Sequence, residues 1–433
     1  MKKPVPHVIR NMMRLGSGEA LARLAGVATV LFLAHKWGVI VVGVYALGQT
    51  MAQYSVPFVD FGLRHVGARL VAQYPQATHE IVARVQRRRF LMTFALLPCL
   101  LAYVAFTKLP RDLKACLFAF AAICALHALS LDWLAWGKEH LRLVGLGRSI
   151  VPIVMLVFLT VGRNSAQVLW WLVLGSLVGN ILQGLLFWGW WRRQKPVEGD
   201  AFAVAMVRES LAWQRTGVLG FATLCNLAFN NVDLLMLGVM SKPQEVGLYS
   251  ASYRVINQVL YTYYLLTQVL YPHLARQQPA QRIRMLQTRI LLSLVGIGGV
   301  IAAIVTAARR PILEVLFGRQ FVHAAPLLLL LVWAIPLDFL TSYLSNAYFA
   351  WGMEKKVLWC IAIATCSNVV MNLIWIPSYG AVAAAANTLI CYVIFLSCLA
   401  LAGHAAKELR HGAEQLPNGL RKPATANLDS LGN

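Results

Sequence analysis

The chain has 433 residues, 59% hydrophobic and 13% charged, and its 39 Lys and Arg against 17 Asp and Glu give a net charge of +22. A soluble domain carries roughly a quarter charged residues, and a soluble core stops growing near ~300 residues, beyond which chains split at polar linkers. The composition excludes a soluble enzyme, a disordered chain and a secreted disulfide scaffold. It leaves an all-α, polytopic membrane protein.

A helix needs ~20 mostly apolar residues to cross ~30 Å of hydrocarbon. Twelve stretches qualify, the fifth being the shortest. In chain order the first six are Gly16–Ala34, Val39–Phe61, Phe90–Thr107, Ala115–Trp136, Leu146–Gly162 and Val168–Trp191. The second six are Thr216–Met240, Val246–Tyr271, Ile290–Ala308, Ala324–Trp351, Val357–Ile376 and Gly380–Leu401. Backbone groups in lipid must be paired internally, so these are helices, and the alternation of an outer-membrane barrel is absent. The expected organisation is a six-helix bundle over 1–191, a cytoplasmic linker over 192–215, a second bundle over 216–404 and a disordered tail over 405–433.

Lys and Arg set the orientation. With both termini in the cytoplasm, inner segments hold 28 of them and outer loops nine, while Arg23 and Arg254 lie inside spans. No outer loop exceeds about a dozen residues, which leaves no room for an external catalytic domain. Cysteines 99, 116, 124, 225, 360, 366, 391 and 398 fall almost entirely inside apolar runs with no C-x-x-C, and read as small apolar fillers.

Val42-Gly43-Val44-Tyr45-Ala46 opens the second span, and Val246-Gly247-Leu248-Tyr249-Ser250 opens the eighth. An offset of six spans keeps both copies in one orientation. It implies two halves related by an axis along the membrane normal, with a site between them. The stretches "VVGVYALGQTMAQYSVPFVDFGLRHVGAR" and "NNVDLLMLGVMSKPQEVGLYSASYRVINQVLYTYYLLTQVLYPHLAR" resemble the polysaccharide-biosynthesis membrane proteins, the O-antigen and exopolysaccharide flippases. "FGRQFVHAAPLLLLL" and "NVVMNLIWIPSYGAVAAAANTLI" fit the same pattern. The resemblance covers about residues 10–402. It implies a place in the superfamily of multidrug exporters and lipid II flippases, with an alternating-access cavity in a bacterial inner membrane. It also implies undecaprenyl-diphosphate-linked oligosaccharide as substrate, with membrane lipids, a polysaccharide polymerase and chain-length proteins as partners. Lipid II flippases usually have fourteen spans, so twelve count against that branch.

A lipid-linked sugar has an anionic diphosphate and a polar glycan, so its path must be wet and cationic. Charges inside spans are costly and point to function. Arg254 lies eight residues into its span, roughly 12 Å deep, where a guanidinium could take a diphosphate bidentately. Asp233, on the preceding span, sits at similar depth. An Asp233–Arg254 ion pair is the structural alternative. Gln258 follows one turn after Arg254. Arg23, one turn after Glu19, either snorkels to the interface or lines a cavity entrance. Asp60 and Arg64 repeat that spacing. Asp338 lies mid-span after Pro336 and, with Glu19, Asp60 and Asp233, is a candidate for ion coupling.

Asn226 and Asn230 share a helix face, as do Asn368 and Asn372; such amides either tie helices together or line a sugar path. Tyr261, Tyr263 and Tyr264 read as interfacial belt or sugar contacts, and Trp188, Trp190 and Trp191 as belt. The run Arg84–Arg89 belongs to a basic surface segment from His65 to Arg89, or only sets topology. Gly296–Gly299 reads as helix packing. No phosphate-binding loop, H-E-x-x-H or metal cluster is present in the sequence, so no cofactor is expected. The rivals are an ion-coupled multidrug exporter, which wants carboxylates for cationic cargo, a lipid II flippase, and an enzyme acting on the same lipid, which wants a large outer loop.

Overall fold

The computed structural model describes residues 5–162, 164–194, 207, 213–275, 288–351 and 353–414. Most of the expected linker, and residues 415–433, lie outside the described residues. Those described are helical, with no strand among them. The helices are α1 Val5–Asp60, α2 Leu63–Gln73, α3 Thr78–Phe106, α4 Arg111–Cys124, α5 Asp132–Gly137, α6 Leu141–Leu159 and α7 Ser165–Arg192. They continue as α8 Trp213–Met240, α9 Pro243–Ala275, α10 Thr288–Phe317, α11 Ala325–Val332, α12 Ala334–Ala350 and α13 Glu354–Glu414.

Among the described residues nine helical stretches are long and apolar enough to cross a membrane. Two of them, Gly18–Asp60 of 43 residues and Glu354–Gly403 of 50, run ~65–75 Å at 1.5 Å per residue, about twice the hydrocarbon thickness. Each breaks once, at Gly38 (φ 79°) and Gly380 (φ 56°). A left-handed φ is open to glycine at little cost, so these two residues divide a continuous apolar run into two segments. After Gly380 the new segment starts with the Ala381 N–H donating to Glu245 Oε2 at 2.8 Å. That carboxylate satisfies an orphan donor at a helix start and favours the positive end of its dipole.

Helices before residue 192 pack chiefly on one another: α1 on α6, α6 on α7, and α3 and α4 on α1. Those after residue 213 pair α8 with α13, α9 with α12, and α10 with α12. The main link between these groups is α1 with α9. A continuous apolar core runs through it, from Val42, Tyr45 and Leu47 to Val246, Tyr249 and Phe321. Smaller cores sit around Trp133 and Phe187 and around Tyr343 and Phe395.

The expected basic surface segment is corrected. His65 lies in α2 and Arg84–Arg89 in α3, and Arg89 is buried, its side chain 2% exposed against Asp60. Trp191 is likewise buried and Trp188 Nε1 donates to the Leu129 carbonyl at 2.8 Å, so neither is simply belt. Tyr263 is buried, its hydroxyl donating to the Phe339 carbonyl at 2.8 Å.

Candidate functional site: a seam of arginines and a buried carboxylate

The two repeated segments meet face to face. A Cβ on Gly43 would stand 2.6 Å from the Pro243 carbonyl and 3.0 Å from the Gly247 nitrogen. A Cβ on Gly247 would collide with the Val39 carbonyl. Absent side chains thus let α1 and α9 cross at backbone distance and close the seam at the Gly38 end. One to two turns further along, Arg254 Nη2 donates to Gln49 Oε1 at 2.6 Å, and Gln49 Nε2 donates to the Tyr45 hydroxyl at 2.6 Å. Arg254 Nε is buried without a hydrogen-bond partner. On the flank, Tyr54 OH donates to the Leu227 carbonyl (3.3 Å), Tyr103 OH to Leu235 (3.0 Å) and Lys108 Nζ to Met240 (2.7 Å). At the opposite end the Arg23 guanidinium lies 3.3 Å from the centroid of the Tyr261 ring.

The Asp233–Arg254 ion pair does not form. Asp233 instead is buried among neutral donors. Asn372 Nδ2 donates to its Oδ1 at 2.5 Å, and Thr388 Oγ1 and Tyr249 OH to its Oδ2 at 2.8 and 3.0 Å. Asn372 also donates to Asn368 Oδ1, and accepts from Asn387 Nδ2 at 2.8 Å. The separation has a plain cause. Asp233 faces α13, packed on α8, whereas Arg254 faces α1 across the seam. Among the described residues Asp233 has no ion-pair partner. A buried carboxylate without one is costly, and a proton or a small hard cation held by carboxylate, amide and hydroxyl oxygens relieves that cost. Asp338 has a lesser version of this setting, accepting from Tyr392 OH at 3.1 Å and Ser342 Oγ at 3.4 Å.

Asp60 and Arg64 do not pair with each other either. The helix ends at Asp60, and the left-handed turn at Phe61 and Gly62 swings Arg64 away. Asp60 Oδ1 pairs with Arg89 Nε at 2.8 Å, and Arg64 Nη2 with Asp132 Oδ2 at 2.7 Å. Arg89 also donates to the Ser130 carbonyl and, at 2.9 Å, to the His127 carbonyl, pinning the 3₁₀ turn Ala125–Leu129. The expected Glu19–Arg23 pair is present at 3.1 Å, and Glu19 receives a second arginine, Arg148, at 3.3 Å.

A cavity of about 340 Å³ opens at this end, lined by Asp60, Arg64, His65, Trp136, Arg148 and Thr223 among others. Partial burial and the neighbouring Arg64 charge hold the His65 imidazole below its ordinary 6.5, opposed in part by Asp60. Asn226 and Asn230 do share a face, with Asn230 Nδ2 donating to Asn226 Oδ1 at 2.9 Å, and Gln258 is exposed beyond Arg254. Sequence reasoning missed Gln49, Thr388 and Arg148 as partners. An amide, a hydroxyl and an arginine on another helix, α6, carry no spacing signal, and only the tertiary fold brings them to Arg254, Asp233 and Glu19.

The family model described as polysaccharide biosynthesis protein matches residues 8–278, more than half of the chain. The chain belongs to that family. It is a multi-pass membrane protein, and the relatives it matches are transporters. It is 22% identical over 347 residues to the "Putative O-antigen transporter" of Escherichia coli (strain K12), covering 78% of this chain and 81% of that one. Its fold is similar to that of the lipid II flippase MurJ in an inward closed conformation, with TM-score 0.67 and 15% identity over 90% of this chain and 87% of that one. It also resembles an outward-facing MATE-family multidrug transporter of the MOP superfamily, with TM-score 0.53 and 12% identity over 93% and 96%.

Proposed function

We propose that the protein moves a polyprenyl-diphosphate-linked oligosaccharide from the inner to the outer leaflet of a bacterial inner membrane by alternating access. The observation that carries this reading is Arg254. It is a cation in the middle of the seam, tied to the opposite helix by one hydrogen bond to Gln49 and with Nε unpartnered. Such an arginine can exchange a neutral amide for a diphosphate at little cost, since the charge-assisted bonds to phosphate are the stronger ones. Arg23, Arg64 and Arg148 form a cationic approach at the other end, the cytoplasmic end in this reading. The sugar then passes Asn226, Asn230 and Gln258 while the lipid tail stays in the bilayer.

Twelve spans in two bundles, 1–191 and 216–404, with both termini cytoplasmic, belong to the same proposal. Asp233 is its coupling residue, with Asp338 second, because a carboxylate held only by neutral donors responds to a proton or cation. The arginines of the seam favour an anionic lipid over the cationic cargo of a drug exporter.

The test is flipping of fluorescent lipid-linked oligosaccharide in proteoliposomes, read by an external glycosidase. Arg254→Ala should slow exchange at least about tenfold, and Arg254→Lys should recover only part of it, because a point charge lacks the planar fork. Full transport by both variants rejects diphosphate binding at Arg254. Extrusion of organic cations in place of lipid exchange moves the protein to the exporters.

A further inference from the structure

The Gly38 end of the seam carries a second cavity, of about 470 Å³, lined by Trp37, Val39, Ile40, Gln244, Leu248, Gln320 and His323. Its size is that of small-molecule sites. In a chain of net charge +22 its lining carries no Lys, Arg, Asp or Glu, only an indole, two amides, an imidazole and aliphatic edges; the Lys36 ammonium stands outside that lining, 5.2 Å from the centroid of the Trp37 ring. A diphosphate would want cations, and a lipid tail would not want Gln244, Gln320 and His323. A ligand with both an apolar face and a dense set of hydroxyls fits an aromatic platform ringed by amides. The indole Nε1 of Trp37 is buried without a hydrogen-bond partner, a donor still to be satisfied.

The two sides of the cavity come from different halves of the seam. Trp37, Val39 and Ile40 flank the Gly38 break in α1, while Gln244 and Leu248 open α9, and Gln320 and His323 lie in the 3₁₀ turn Arg319–Ala324. Gln320 rests against Gly38 so closely that a Cβ there would lie 2.5 Å from its Oε1. The cavity therefore exists in this form only while the Gly43–Gly247 crossing holds this end shut. A ligand touching both sides shifts the population toward the closed end, by as much as its affinity differs between the two states.

We infer that this cavity is a site for a neutral saccharide unit, and that a sugar bound there from the outside holds the outer end of the transporter closed. Its sidedness and its link to transport rest on the flippase reading; the binding itself does not. A glycan already delivered would then slow further export, a product brake built on the gate itself.

The experiment has two arms. Saturation-transfer NMR in detergent would use maltose, lactose and N,N′-diacetylchitobiose, with glucuronate and glucose 1-phosphate as charged comparators. Transfer to at least one neutral disaccharide is expected, with Kd raised about tenfold by Gln320→Leu or Trp37→Phe/His323→Ala. Both variants alter partly exposed positions, and their thermal unfolding is measured alongside. The second arm adds the binding sugar outside proteoliposomes at ten times its Kd, where wild-type flipping should fall several-fold and the variants should not respond.

Absence of transfer to any neutral sugar, transfer unchanged in the folded variants, or preference for the charged sugars overturns the site. Transfer without slowing overturns the brake. Lipid exchange without sugar binding leaves the flippase reading standing and removes this one. Sugar binding without lipid exchange does the reverse.

Discussion

Gly43 and Gly247 stand at matching positions of the internal repeat, 204 residues apart, and pack against each other's helix at backbone distance. The repeat is therefore also the crossing point of α1 and α9. A side chain at either position meets main chain, which cannot move aside. Gly247→Leu should lower the unfolding temperature by several degrees, consistent with overpacking costs of about 1–3 kcal/mol. Gly184→Leu, where nothing lies within 4 Å of an added Cβ, should leave it within about 1 °C. Thermal unfolding in one detergent checks both, and equal effects would remove the crossing as a packing constraint.

Asp60 and Arg89 form a buried ion pair, with side chains 8% and 2% exposed. Removing one partner strands a charge, at a cost of about 3–5 kcal/mol. Arg89→Leu and Asp60→Leu should each destabilise the protein strongly, and the double variant by clearly less than the two together. A double-mutant cycle by denaturation measures this coupling. Additive losses would mean that the pair contributes nothing beyond its separate members.

Asp233 is tied to Asn372, Thr388 and Tyr249, all neutral. Asp233→Asn keeps the shape and removes the charge. It should fold at least as well as the parent while transport falls at least about tenfold and stops responding to imposed sodium or proton gradients. Flipping assays under each gradient, with unfolding as the companion measurement, decide it. A variant that transports normally and keeps its gradient response would make Asp233 a structural residue.

His65 gives a pH signature. Its imidazole is held below its ordinary 6.5 in the folded protein by burial and by Arg64. The unfolded chain then takes up the proton first as pH falls. The stability linked to His65 is full above pH 7 and declines as pH drops through 6.5 toward the depressed folded value. Relative to His65→Gln, the wild type should lose unfolding temperature over that window and match it above pH 7. A constant difference between the two proteins from pH 5 to 8 would refute the assignment.

Much of this was legible before folding. Low charge and apolar runs of membrane-spanning length sufficed for an all-helical membrane protein, because those features act through solvent and through helix length alone, while transport entered through the family resemblance and not through composition. The breaks at Gly38 and Gly380 fall where spans were divided. The i, i+4 pair Glu19–Arg23 formed because both residues sit on one uninterrupted helix.

Residue order alone sets which groups are charged, which stretches are apolar enough to cross lipid and where the two copies of the repeat begin. Who pairs with whom is settled by packing. Asp60 and Arg64 share a spacing that predicts contact, but the turn at Phe61–Gly62 sends them to Arg89 and Asp132. Asp233 and Arg254 are expected at similar depth from their places in a hairpin, yet they face different helices. Depth and spacing fix one coordinate of a side chain. Its azimuth around the helix axis and the helix that comes to meet it are set by packing over long sequence distances, and that is where the seam, the buried carboxylate and both cavities arise.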